Sequence, residues 1–97
     1  MPHWAQTYRD RRCTEEEAVR AIRSHDRVFL TGNCSVPQVL LSALVDYAAQ
    51  LTGVELAQVL TIGDAQYAEP GMEDHIRVNA MFIGSDIREA VQSGRAD

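Results

Sequence analysis

Apolar and polar positions follow two periods along this chain, and the switches between them mark out its elements. Residues 14–24, "TEEEAVRAIRS", carry Ala18, Val19 and Ile22 at helical spacing. Thr14 stands at an N-cap position with Glu17 three residues on, a capping box that predicts a helix start. Acids in the first turn, with Arg20 and Arg23 towards the end, suit the helix dipole. "RVFLT" (27–31) is a short apolar run, predicted to be a strand buried on both faces. In residues 37–51, Val39, Leu40, Leu41, Leu44, Val45, Ala48 and Leu51 spread over more than one face. That spread predicts a helix covered on more than one side. Pro37 suits its first turn, Ser35 with Gln38 reads as a second capping box, and Gly53 reads as its stop. "VELAQVLTI" (54–62) and "VNAMFIG" (78–84) read as two further strands. Gly63, Pro70 and Gly71 punctuate the loop between them. Ser85 then caps a last helix, "DIREAVQS", with Ile87, Ala90 and Val91 inward and Gly94 at its end. Residues 1–13 read as an irregular basic lead-in, with Trp4 and Tyr8 as anchors.

The order α-β-α-β-loop-β-α points to the α/β class, as a partial parallel-sheet layer with flanking helices. Three strands are few for such a layer, and a further strand is expected where "GRAD" (94–97) follows the last helix. The 97 residues therefore read as one incomplete domain. A net charge of −5 with no basic stripe argues against nucleic acid as a partner. No apolar run approaches the roughly 20 residues of a membrane-spanning helix, and "MPHWAQTYRDRRC" lacks the apolar core of a secretory signal. Cys13 and Cys34 lie far apart and form no CxxC, which reads as two reduced thiols and a cytoplasmic setting. His3, His25 and His75 have no metal-ligand spacing, so no metal site is expected.

In open α/β sheets, ligands bind outside the carboxyl ends of the strands. The three loops leaving those ends are "TGNCSV", "IGDAQYAEPG" and "GSD", each with a glycine directly after the apolar run: Gly32, Gly63 and Gly84. The asymmetry places polar, backbone-permissive chemistry on one edge. In the first loop, Gly32 permits a turn or a close approach, and the amides of Cys34, Ser35 and Val36 lead into a helix whose dipole favours negative charge. Such a loop suits a phosphate, a carboxylate or a developing oxyanion; equally, Gly32 turns the chain and Ser35 caps. Cys34 is a thiolate candidate or a small buried thiol. His75 is a general-base candidate or part of a solvated turn. Gln66 and Tyr67 line a pocket, or Tyr67 is a lid over the sheet edge. Arg88, in the first turn of a helix, reaches an anionic ligand or pairs with Asp86 or Glu89.

Four stretches carry a wider likeness: "TEEEAVRAIRSHDRVFLTG", "SVPQVLLSAL", "TIGDAQYAEPGMEDHIRVNAMFIG" and "IREAVQSGRAD". Together they make the chain, from about Thr14 to Asp97, resemble the N-terminal part of the acetyl-CoA hydrolase/transferase family, which includes 4-hydroxybutyrate CoA-transferase-like enzymes. The resemblance implies the N-terminal part of a two-part α/β enzyme that acts on acyl-CoA and a small carboxylate. It implies the coenzyme A thioester as substrate and no permanently bound cofactor. The nucleophile it implies is a glutamate in the second half of such enzymes, forming a glutamyl-CoA thioester. None of Glu15, Glu16, Glu17, Glu55, Glu69, Glu73 or Glu89 lies in that context, so no catalytic residue is named. Carried over residue by residue, Gly32, Asn33, Cys34, Ser35 and Val36 line the acyl and oxyanion site. Gly63 and Tyr67 match the second strand-end loop, and Gly84 and Arg88 the third. Asn33 and Cys34 stand where the family more often has small residues, and His25 stands at a turn position commonly held by glycine. The partners implied are the missing C-terminal half or a homo-oligomer. The competing readings are a stand-alone CoA- or anion-binding module and a partner-docking α/β module, both without catalysis.

Overall fold

A computed structural model of the chain describes residues 3–97. Strands β1 (Arg27–Leu30), β2 (Val54–Gln58) and β3 (Ile76–Ala80) form one parallel sheet in the order β1-β2-β3. Leu30 pairs with Gln58 and Gln58 with Ala80, so the three strands end level. Helices α1 (His3–Arg11), α2 (Glu15–Val19), α3 (Gln38–Tyr47) and α4 (Arg88–Gln92) accompany them, with 3-10 turns at Ala48–Gln50 and Gln66–Ala68. The α/β class and the parallel layer are as expected from the sequence.

Strand order decides the layering. Each crossover steps one strand further in the same direction. Parallel connections are right-handed with few exceptions, so such steps place their helices on one face. Burial follows this rule. Val54, Leu56, Ile76 and Val78 are at most 1% exposed and form one core with Leu41, Leu44, Ala48 and Leu51. The alternate positions, Arg27, Phe29, Glu55 and Asn79, belong to the opposite face of the pleat, and Phe29 is 63% exposed. The expectation that β1 is buried on both faces is therefore wrong: among the described residues no second layer covers it. Polar contacts lace the bare face instead. Arg27 Nε lies 2.9 Å from Glu55 Oε2, and Asn79 Nδ2 donates to Glu55 Oε1 at 3.0 Å. Hydrogen bonds from Asn79 and then Arg27 hold the Glu55 carboxyl below the usual carboxylate range.

Helix ends show where local signals held. Thr14 accepts from the Glu17 amide at 3.3 Å, and its hydroxyl donates to the Glu17 carboxylate at 3.2 Å, so the predicted cap forms. The helix nevertheless stops at Val19, because Ala21 and Ile22 donate three residues back. The turn that follows carries His25 at φ 70°, the left-handed backbone that glycine adopts most readily. Ser35 does not cap α3; Pro37 takes that position with no side-chain bond. Ser85 likewise caps nothing, since α4 begins at Arg88 behind Ile87. Residues 59–62 and 81–84 lie beyond β2 and β3, although Met81 and Phe82 still donate to the Gln58 and Val59 carbonyls at 2.8 Å.

The lead-in is not irregular. It forms α1, fixed by contacts four residues apart such as Gln6 to Asp10 at 2.8 Å, with Arg9 and Arg11 in its last turn. It buries no residue, and Trp4 and Tyr8 are 72% and 62% exposed, so neither anchors this chain. Met1 and Pro2 lie outside the described residues. At the other end, the Asp97 amide donates to Val78 O and the Ala80 amide to Asp97 O, at 2.9 and 2.7 Å. That is the bonding of a parallel neighbour beside Asn79. The Arg77 fork binds both Asp97 carboxylate oxygens, at 2.6 and 3.0 Å.

A one-sided core has a measurable consequence. Leu56→Ala should cost about 2–5 kcal/mol in urea unfolding, the range of a core truncation. Phe29→Ala, on the bare face, should cost under about 1 kcal/mol. Equal costs would contradict the layering.

Candidate functional site

Level strand ends bring the three glycine loops to one edge. The first loop folds back on the second: the Asn33 amide donates to Leu60 O at 2.8 Å, and Asn33 and Thr61 form a parallel bridge. A side chain at Gly32 would place its Cβ 2.4 Å from that same Leu60 oxygen, so the close approach excludes any Cβ there. Asn33 sits at φ 54°, a conformation asparagine tolerates better than most residues. Ser35 donates its amide to Gly32 O at 3.0 Å, and its carbonyl accepts from the Thr31 hydroxyl at 2.7 Å.

Of the loop amides, those of Asn33 and Ser35 are thus committed to protein carbonyls. Those of Cys34 and Val36 have no hydrogen-bond partner among the described residues. Cys34 is an exposed free thiol, not a buried one. The first turn of α3 follows without a side-chain cap. Of the three amides the sequence offered, Cys34, Ser35 and Val36, two are left as donors beside an uncapped helix start.

In the second loop, Gly63 has φ 118° and lies under the Gln38 side chain, whose Nε2 donates to Ile62 O at 3.0 Å. Gln38, Ser42, Asp64, Gln66 and Tyr67 line a polar cleft of about 90 Å3 together with Leu41 and Val45, and residues 32–36 do not line it. Tyr67 is 2% exposed and part of the core, not a lid. Burial pushes its hydroxyl above the ordinary tyrosine range, a hydrogen bond with Thr61 opposes this, and the Asp86 charge adds to it. In the third loop, Gly84 packs so closely that a Cβ would lie 2.9 Å from Asp86 Oδ1. Arg88 is exposed and makes no ion pair among the described residues; Glu89 pairs with Arg95 instead, at 3.4 Å. His75 is half-buried, with Nδ1 2.7 Å from Leu51 O, at the N-terminal end of β3 and so away from this edge. No group of three His, Cys, Asp or Glu side chains could hold a metal among the described residues.

Two features escaped the sequence reading. The edge is not purely polar: Ile62, Met81, Phe82 and Ile83 are 47–65% exposed around it. Beneath it lie Gln58, Thr61 and Asp86, Tyr67 joining Gln58 to Thr61 and the Thr61 hydroxyl binding Asp86. Gln58 could have been found, because it continues the period-2 register of Val54 and Leu56 with a polar side chain.

The profile of the acetyl-CoA hydrolase/transferase N-terminal domain matches residues 3–97. The chain belongs to this family. It is 37% identical over 94 residues to the 4-hydroxybutyrate coenzyme A transferase of Clostridium kluyveri, covering 97% of this chain and 22% of that protein. It is 32% identical over 90 residues to the succinyl-CoA:cyclohexane-1-carboxylate CoA transferase of Geobacter metallireducens, covering 93% and 20%. The chain thus spans about a fifth of the length of these relatives. RipA from Yersinia pestis superposes with a TM-score of 0.78 at 21% identity, over 99% of this chain and 24% of that one. A RipA mutant superposes at 0.84 and 21%, over 96% and 22%. At that identity the likeness speaks for the fold. No helix among the described residues is long and apolar enough to cross a membrane.

The raised Tyr67 hydroxyl fixes the sign of a pH effect. Above pH ~10 the unfolded chain loses this proton while the folded chain keeps it, so folding stability should fall as pH rises through that region. Urea midpoints between pH 9 and 11, chosen to bracket that pKa, should decline in the native chain and flatten in Tyr67→Phe. An equal decline in both would assign the effect elsewhere.

Proposed function

We propose that this chain is the N-terminal segment of an acyl-CoA:carboxylate CoA-transferase or acetyl-CoA hydrolase, and that it supplies one wall of the acyl site. The observation that carries the reading is the family match along residues 3–97, with relatives named as CoA transferases. Substrates on this reading are a coenzyme A thioester and a small carboxylate. A glutamate outside this chain exchanges with the thioester to form glutamyl-CoA, and a second carboxylate, or water in a hydrolase, resolves it. Attack on a thioester carbonyl builds negative charge on its oxygen, and donors placed there beforehand lower the barrier. The uncommitted amides of Cys34 and Val36 are the donors this chain offers, with Gly32, Asn33 and Ser35 shaping the loop. Gly63 and Tyr67 form the second side of the site, and Gly84 and Arg88 the third, Arg88 being free to meet the anionic coenzyme.

The bare sheet face and the apolar residues at the strand ends support a further layer of protein over this one. We assign that layer to the remaining four-fifths found in the relatives, or to a second copy. Two free thiols fit a reducing, cytoplasmic setting. The 97-residue chain alone should therefore exchange no label between acetyl-CoA and a carboxylate. Placed in register for the matching N-terminal fifth of the Clostridium kluyveri enzyme, it should support exchange. Turnover by the isolated chain, followed by chromatography of the thioesters, would contradict the proposal.

A further inference from the structure

Beneath the strand-end loops, four polar side chains form a bonded row. Gln58 (0% exposed), Thr61 (4%) and Tyr67 (2%) are buried, and Asp86 joins them from the third loop. The Thr61 hydroxyl donates to Asp86 Oδ2 at 2.6 Å. The Tyr67 hydroxyl lies 3.4 Å from Thr61 Oγ1 and 3.3 Å from the Gln58 amide oxygen. Proton counting gives the row a direction. Thr61 has one hydroxyl proton, and the short contact to the carboxylate takes it. The single Tyr67 proton can then serve Gln58 or Thr61, but not both. Both contacts are satisfied when Gln58 turns Nε2 towards the tyrosine, its two amide ends being nearly the same shape. The donors then run one way, from Gln58 through Tyr67 and Thr61 into Asp86.

Thr61 is where this row meets the loops. Its backbone bridges Asn33 of the first loop, its hydroxyl binds Asp86 of the third, and Tyr67 reaches it from within the second. Gly84 packs on the same node, its missing Cβ lying 2.9 Å from Asp86 Oδ1 and 3.5 Å from Thr61 O. One end of the Gln58 amide and Asp86 Oδ1 remain buried with no partner among the described residues, so the row has no slack for losing another bond. We infer that Thr61 is the positioning residue of the strand-end site, locking the three glycine loops in one arrangement, the first through its backbone and the other two through its hydroxyl. It touches no substrate; it acts through Asn33, Tyr67 and Asp86. Its functional meaning rests on the site proposed above, whereas the coupling of the loops does not.

Amide hydrogen exchange separates this role from general stabilisation. Thr61→Val keeps the β-branched shape and removes the hydroxyl. Exchange should quicken by about ten- to a hundredfold, the scale of one lost hydrogen bond to a charged group, at Asn33 and Ile87, whose amides bond Leu60 O and Gly84 O. Exchange at Val54 and Ile76 in the sheet should stay unchanged. Thr61→Ser should restore protection at both loops. Should Thr61→Val fail to fold, Asp86→Asn carries the same test, with the same two loops loosening. Uniform loss across loops and sheet would make Thr61 merely structural, and unchanged loops or no rescue by serine would also overturn the inference. A chain with coupled loops that binds no acyl-CoA would sink the site and leave this node standing.

Discussion

Parallel pairing of three strands in sequential order is the constraint from which the rest follows. It sends each crossover the same way and gathers the helices on one face. The apolar stripes of β2 and β3 meet α3 there and bury almost completely. The other face carries polar contacts instead, Arg27–Glu55–Asn79 and Arg77–Asp97, which are exposed and of modest worth. Stability is therefore concentrated on one side of a thin layer.

The same pairing ends all three strands at one level, and chemistry becomes available there. Geometry demands glycine at two points of that edge: Gly32, against the Leu60 carbonyl, and Gly63, at φ 118°. Packing of the first loop on the second consumes the Asn33 amide, a turn within the first loop consumes that of Ser35, and those of Cys34 and Val36 are left. The fold thus selects which backbone donors a ligand can meet. Around them stand Ile62, Met81, Phe82 and Ile83, a surface suited to contact with more protein.

Much of this was legible in the sequence. The capping box at Thr14 and Glu17, the α/β order and the three strand-end glycines all read out from local pattern, because each depends on residues a few positions apart. The misses have a common cause. Ser35 and Ser85 look like caps, but the chain enters α3 through Pro37 and α4 through Ile87, choices set by how the loops pack. Phe29 looks like a core residue, and only strand order reveals that its side of the sheet is bare. The row from Gln58 to Asp86 joins residues up to 25 positions apart through side-chain hydroxyls, which no periodicity encodes. Residues 3–11 carry no cap signal, so α1 was invisible to rules that look for one.

Amide chemical shifts during titration with acetyl-CoA test the central claim most directly, that the strand-end edge meets the thioester through its uncommitted donors. The account predicts the largest changes at Cys34 and Val36, smaller ones around Gly63 and Gly84, and none at Thr52 and Gly53 on the opposite edge. Changes confined to that opposite edge, or none at saturating thioester, would contradict it.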